Sequence, residues 1–275
     1  MPKDSVAPFL RWAGSKKKLL PRLAPYLEST YTRYIEPFMG SASLFFATNP
    51  SAAILSDINQ ELVNTFVSVR DHPRAVYNRL NIIPKGKRSY KKLRKIDLAS
   101  LDALERAARF IFLNRYCFNG IYRTNNSGVF NVPYSSSRTG GLPTRDAFLA
   151  AARLLKSADI VCEDFESVVN NHVREGDFVY LDPPYAVENR RIFRQYGHQT
   201  FGLDDLKRMN DALKTIDERG ANFVLSYAYS PEALEYFQNW NRRKVFTLRN
   251  VSGFAEHRRM AAELIFTNIS LSPSS

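Results

Sequence analysis

Cysteine is nearly absent from this chain. Its 275 residues hold only Cys117 and Cys162, with no C-x-x-C spacing, which argues against a disulfide scaffold or a cysteine zinc site. Long uncharged apolar runs are missing as well, so no membrane span is expected. The start, MPKDSVAPFLRWAG, lacks the charged-then-apolar pattern of a secretory signal. A reducing cytoplasm is the expected compartment. There is no internal repeat and no long low-complexity segment, and the tail SLSPSS is expected to fray. The remainder is ordinary: 44% hydrophobic and 24% charged residues, enough for one large domain or two small ones.

Acid is in short supply relative to base. The net charge is +12 and the pI is near 9.7, an excess that favours a polyanionic partner. The segment PKGKRSYKKLRKI carries Lys85, Lys87, Arg88, Lys91, Lys92, Arg94 and Lys95 with no acid between them. A solvated helix face is the bland alternative. Phosphate contact is preferred because the whole chain is basic.

Hydrophobic periodicity divides the chain into three regions. In residues 1–69, TRYIEPF reads as a strand, MGSAS as a tight loop and LFFAT as the entry to a helix. SAAILSDIN reads as a second strand ending at Asp57. INQELVNTFVSVR places Leu62, Phe66 and Val69 at helical spacing. This order is that of an α/β nucleotide-type binding unit. Residues 70–146 change character. They open with the basic segment, continue through the helical pattern LDALERAARFIFLNRYCF, and end in NGIYRTNNSGVFNVPYSSSRTGGLP. The last stretch has little to bury and contains turn chemistry, so a long loop or hairpin is expected. Residues 147–275 return to alternation, with strand-like runs in SADIVCEDF, GDFVYLDPPY, GANFVLSYA and MAAELIFTN, and a helix in TFGLDDLKRMNDALKTIDERG that stops at Gly220. The fold class expected is therefore α/β, interrupted by a basic insertion.

Four features carry chemistry. Asp57 ends the second strand about 20 residues after EPFMGSAS, a spacing at which an acid accepts hydrogen bonds from ribose hydroxyls; an N-cap for the next helix is the alternative. The loop has only Gly40 rather than a full G-x-G-x-x-G, which disfavours a pyrophosphate ligand and suits an adenosine without phosphates. In FLRWAGSKKKLL, Trp12 covers an adenine or packs in a core, and Lys16 binds a carboxylate or faces water. Asp182-Pro183-Pro184-Tyr185 follows an apolar strand. Rigid prolines can aim a carbonyl and a carboxylate at one amine, while the aromatic stacks on a planar base; a simple strand-ending turn is the alternative.

These residues resemble the Dam-type, D12-class family of site-specific DNA adenine N6-methyltransferases. The matching segments are FLRWAGSK, YIEPFMGSAS, LSDIN, LNRYCFNGIYRTNNSGVFNVPY, CEDF and VYLDPPY, in the family's order and spanning nearly the whole chain. The resemblance implies a Rossmann-like methyltransferase sheet with an inserted, mainly helical target-recognition domain at 70–146. It implies S-adenosylmethionine as cofactor and double-stranded DNA as partner. It involves no membrane and no metal. It implies action as a monomer and allows a cognate restriction endonuclease. Trp12, Ala13, Lys16, Asp57 and Asp182 match positions at the methyl donor. Glu36, Pro37 and Gly40 match the loop beside its methionine part, and Asp164 and Phe165 match positions near its adenine. Ser15 stands where the family usually has a second glycine, and LSYAYS differs from the family's I-S-N form, which leaves the roles of Ser226 and Tyr227 open.

The mechanism so implied flips an adenine out of the duplex. Tyr185 stacks on it, and Asp182 and the Pro183 carbonyl hold its 6-amino group. Arg123 is expected to read guanine by a bidentate contact, with Asn119, Ile121, Asn125 and Tyr134 in the same loop. Arg115, Arg138, Arg258 and Arg259 are candidates for phosphate contact. GATC is the expected site. The competing readings are methylation of a cytosine or RNA amine, where cytosine enzymes more often carry Ser at the position of Asp182, and an inactive DNA-binding relative.

Overall fold

The computed structural model describes residues 6–12, 16, 19–27, 30–125, 128–135, 141–184, 201–250 and 258–270, with backbone alone at 247–250 and 258–261. A short helix, α1 (Leu20–Leu23), precedes the first unit: β1 (Tyr34–Glu36), α2 (Ser43–Thr48), β2 (Ala53–Ser56) and α3 (Gln60–Asp71). A run of helices follows: α4 (Pro73–Asn81), α5 (Lys87–Arg94), α6 (Ala103–Tyr116) and α7 (Arg145–Leu154). Alternation then resumes with β3 (Ala158–Val161), α8 (Phe165–His172), β4 (Phe178–Leu181), α9 (Leu203–Glu218), β5 (Asn222–Ala228) and α10 (Pro231–Tyr236). The chain finishes with β6 (Asn241–Asn250) and β7 (Arg258–Thr267).

Among the described residues, seven strands form one mixed sheet of order β3-β2-β1-β4-β5-β7-β6. β1 to β5 are parallel, and β7 runs antiparallel between β5 and β6. The core strands are buried on both faces, as a parallel sheet between helices requires. Period-2 alternation sends Tyr34, Leu55, Phe178, Tyr180, Val224 and Ile265 to one face, where they pack with residues of α2 to α7. Ile35, Ile54, Val179, Leu181, Leu225 and Phe266 go to the other, against α8, α9 and α10. The helices of the insertion therefore share a core with one face of the sheet.

Local chemistry sets the ends of these elements. Asn59 caps α3 by accepting from the Leu62 amide at 3.2 Å. Asp102 and Glu105 form a capping box at the start of α6. Gly220, at φ +72°, turns the chain out of α9. Among the described residues no helix is long and apolar enough to cross a membrane.

Candidate active site

Because β1 to β4 are parallel, the residues that follow them emerge along one edge. Glu36 ends β1, Asp57 follows β2, Asp164 follows β3 and Asp182 follows β4. The strand order reverses direction between β1 and β4, and α/β sheets bind ligands outside the carboxyl ends of strands at such a switch point. Glu36 and Asp182 flank it.

The loop after β1 is tied to β2 through Asp57. One carboxylate oxygen accepts from the Gly40 amide at 3.2 Å and the other from the Asn59 amide at 2.9 Å. The helix cap is Asn59, not Asp57. Burial pushes the Asp57 carboxyl up to about 6, against the pull of those two amides. Gly40 has φ +46°, and a Cβ there would stand 2.8 Å from the Trp12 indole. The loop thus passes directly against Trp12, which stacks on Tyr122 at 6.0 Å and on Phe110 at 6.5 Å. Ala42 also adopts a left-handed conformation, φ 50°, while fully buried, a strained geometry of the kind that surrounding packing must hold.

Asp182 sits where β4 gives way to the prolines. Its Oδ1 accepts from Lys16 Nζ at 2.6 Å and from Ser226 Oγ at 3.1 Å. Lys16 is 8% exposed, and Glu263 Oε2 lies 4.0 Å from its ammonium. Glu36 is buried beside them and accepts from the Tyr34 hydroxyl at 2.8 Å. Burial pushes Glu36 up to about 8, with the Asp182 charge adding to the rise. Burial also raises Asp182, and Lys16 opposes it. Two carboxyl groups, Asp182 and Glu263, thus flank one lysine ammonium. When ionised they give the pocket net negative charge, suited to a cationic ligand or a cation developing in a reaction.

Further along the edge, Asp164 caps α8 by accepting from the Glu166 amide at 3.0 Å and pairs with Arg208 at 2.6 Å. Phe165 is buried, stacks on Phe38 at 5.4 Å and lies under the Arg208 guanidinium at 4.8 Å. Pro37 occupies the turn between Glu36 and Phe38. Among the described residues no group of three His, Cys, Asp or Glu side chains is placed to hold a metal ion.

Residues 12–254 match the family described as D12 class N6 adenine-specific DNA methyltransferase. The chain belongs to that family. It is 32% identical to the Type II methyltransferase M1.LlaDCHI of Lactococcus lactis subsp. cremoris, over 97% of this chain and 96% of the relative. It is 31% identical to the Type II methyltransferase M.MjaIII of Methanocaldococcus jannaschii, over 92% and 96%. It is 30% identical to the DNA adenine methylase of Haemophilus influenzae, over 96% and 94%.

In this methyltransferase the inserted segment packs directly on the edge just described. Asn114 of α6 accepts from the Arg11 amide at 2.8 Å and donates to the Arg11 carbonyl at 2.6 Å, fastening the segment that carries Trp12. After α6, antiparallel bridges Cys117–Tyr134 and Thr124–Phe130 bring residues 117–125 and 128–134 together as the two arms of a narrow hairpin. Asn125 accepts from the Val129 amide at 2.9 Å within its turn. Arg123 donates through Nε to Asn131 at 2.8 Å, so its guanidinium has a set orientation. Asn119 is exposed with φ 54°, and Ile121 packs on the core. The Tyr134 ring lies edge-on to Tyr90 at 5.4 Å. Arg115 donates to the Gly141 carbonyl at 2.6 Å.

On α5, Tyr90 points inward and bonds the Val132 carbonyl at 2.9 Å, joined there by Arg94 at 3.3 Å. Lys91, Lys92 and Lys95 face solvent. Ala13, Tyr185 and Arg138 lie outside the described residues; Arg258 and Arg259 are placed by backbone only, in β7 opposite Asn250 and Arg249. Sequence reading missed Glu263, Tyr180 and Asn114, and left Ser226 without a role. The first two share a signal: a polar residue on the inward register of an otherwise apolar strand. Tyr227, which stands where the family's I-S-N form has asparagine, is a core residue against Phe237.

Proposed function

We propose that this chain methylates the 6-amino group of an adenine flipped out of double-stranded DNA, with S-adenosylmethionine as donor, at a short site for which GATC is the candidate. The observation that carries the reading is Asp182 at the switch point, held by Lys16 at 2.6 Å beside buried Glu36. The residues fit that donor. Asp57 offers carboxylate oxygens for ribose hydroxyls, the turn at Gly40 sets the Trp12 indole against this edge, and the acidic pocket favours a sulfonium charge. When bound, the donor supplies an electrophilic methyl group. Asp164 and Phe165 lie two strands away, on the side assigned to the adenine of the donor.

The residues of the chain supply binding and orientation. Asp182 and the Pro183 carbonyl accept the two hydrogens of the target amine, which directs its nitrogen lone pair at the methyl group. The Asp182 charge stabilises the cation that develops on that nitrogen. Tyr185 is assigned the stacking role from the D-P-P-Y motif. The segment 70–146 reads the target, with Arg123 on guanine and Lys91, Lys92, Arg94, Lys95, Arg115, Arg138, Arg258 and Arg259 toward phosphates. The enzyme acts as a monomer in the cytoplasm, with or without a cognate restriction endonuclease. Incubation with radiolabelled donor and plasmid DNA, followed by mapping of the modified bases, tests this. Label on adenine at one recurring sequence, lost in Asp182→Ala with DNA binding retained, is expected; label on cytosine, or unchanged turnover in Asp182→Ala, would refute it.

A further inference from the structure

The registers of β4 and β5 place Leu181 opposite Leu225, so the next residues, Asp182 and Ser226, stand abreast at the carboxyl edge. Both lie on the same face as Tyr180, two residues before Asp182. Ser226 is fully buried, and its Oγ lies 3.1 Å from Asp182 Oδ1 and 3.1 Å from the Tyr180 hydroxyl. A serine hydroxyl has one hydrogen to give, and an ionised carboxylate can only accept. The direction of the chain follows: Tyr180 donates to Ser226, and Ser226 donates to Asp182. Burial keeps the Tyr180 phenol protonated, since it raises that group well above its ordinary value.

We propose that Ser226 is a positioning residue for the methyl-transfer step, and that Tyr180 acts through it. Lys16 and Ser226 both bond Oδ1 of Asp182, whereas Oδ2 accepts no hydrogen bond from the described residues. Two donors from different parts of the chain fix the rotation of the carboxylate about its Cβ–Cγ bond. Oδ2 is thereby left to accept from the target amine. The assignment rests on the adenine-methylation reading. The small hydroxyl at 226 reaches the carboxylate from the adjacent strand.

The variants Ser226→Ala, Tyr180→Phe and the double variant separate this role from simple burial. Ser226→Ala is expected to lower kcat about 10- to 100-fold, the usual range for a hydrogen bond to a charged group. KM for donor and DNA should stay within about twofold. Tyr180→Phe should lower kcat less. The double variant should match Ser226→Ala, because the hydrogen-bonded path from Tyr180 to Asp182 runs through Ser226.

The acid limb of the kcat profile should move to higher pH in Ser226→Ala, since the carboxylate loses a donor. The other groups facing Asp182 are Lys16 from the N-terminal segment, Glu36 from β1, Tyr180 from β4 and Glu263 from β7, and all of them remain in Ser226→Ala. An unchanged kcat in folded Ser226→Ala, an equal loss spread over KM, or additive losses in the double variant would overturn the assignment. If Ser226→Ala does not fold, the kcat and pH limb of Tyr180→Phe decide, and no change there overturns it. A wild-type chain that labels no adenine overturns both readings, whereas a labelling wild type with an indifferent Ser226 overturns only this one.

Discussion

Asp57 grips two backbone amides at once, and so a single side chain joins the end of β2 to the loop after β1. Charge-assisted bonds of this kind contribute about 1.5–3 kcal/mol each. Asp57→Ala should weaken donor binding roughly 10- to 100-fold, measured by calorimetric titration. In the native chain that affinity should also fall as pH drops through about 6, where the carboxylate becomes protonated; the variant should lack this limb. Glu36 makes a different prediction. Its carboxyl holds a proton in the fold up to about pH 8, against an ordinary value of 4.5 in the open chain. The folded state therefore binds more protons between those values. The stability so contributed is complete below about pH 4.5 and is lost as pH rises to about 8. Urea unfolding of the ligand-free protein should show stability falling over this window by up to about 1.4 kcal/mol per pH unit. Glu36→Gln should flatten that slope and be the more stable chain at pH 9. Asp57, Lys16 and Asp182 were legible because each sits in a motif whose neighbours along the chain announce it. Ser226 and Glu263 were not, since their meaning lies in Asp182 and Lys16, 44 and many more residues away in sequence.

The turn between β1 and α2 is the element on which the carboxyl edge of the sheet depends most. It combines Gly40 at φ +46° with buried Ala42 at φ 50°, and it runs under Trp12. A Cβ at position 40 meets the indole at 2.8 Å and adds left-handed strain of about 1–2 kcal/mol. Gly40→Ala should lower Tm and raise KM for the donor, with indole fluorescence reporting the displaced Trp12. Strands β1 to β5 were readable because each is a short apolar run closed by an acid or a turn. β6, with sequence NRRKVFTLRN, was not recognised. It is the outermost strand, and of Arg242, Arg243, Lys244, Val245 and Phe246 only Val245 is buried. Edge strands with charged side chains avoid pairing with other molecules, and so carry little hydrophobic signal. The short helices escaped notice for lack of length, although Pro73 and Pro231 at their first turns and Thr144, Asp164 and Ser230 at their caps were available signs.

Over the whole molecule, a charge of +12 sets the expected behaviour with DNA. Affinity should fall steeply with salt as condensed counterions return to the duplex. Lys91 and Lys92 project from α5 into solvent. Replacing both with Ala should reduce the slope of log affinity against log salt by about 1.8 and leave the preferred methylation sequence unchanged, as read by filter binding and plasmid mapping. The sheet order has a consequence of another kind. β7 is the last strand in chain order, yet it occupies the place between β5 and β6 and brings Glu263 to Lys16. A growing polypeptide can carry Lys16, Asp57 and Asp182 long before that gap in the sheet is filled. Competence is therefore a matter of timing: it arrives in one step, once β7 has been made. Chains released at residue 250 should methylate nothing, whereas chains that extend through β7 from the same translation reaction should, and transfer of a labelled methyl group distinguishes the two.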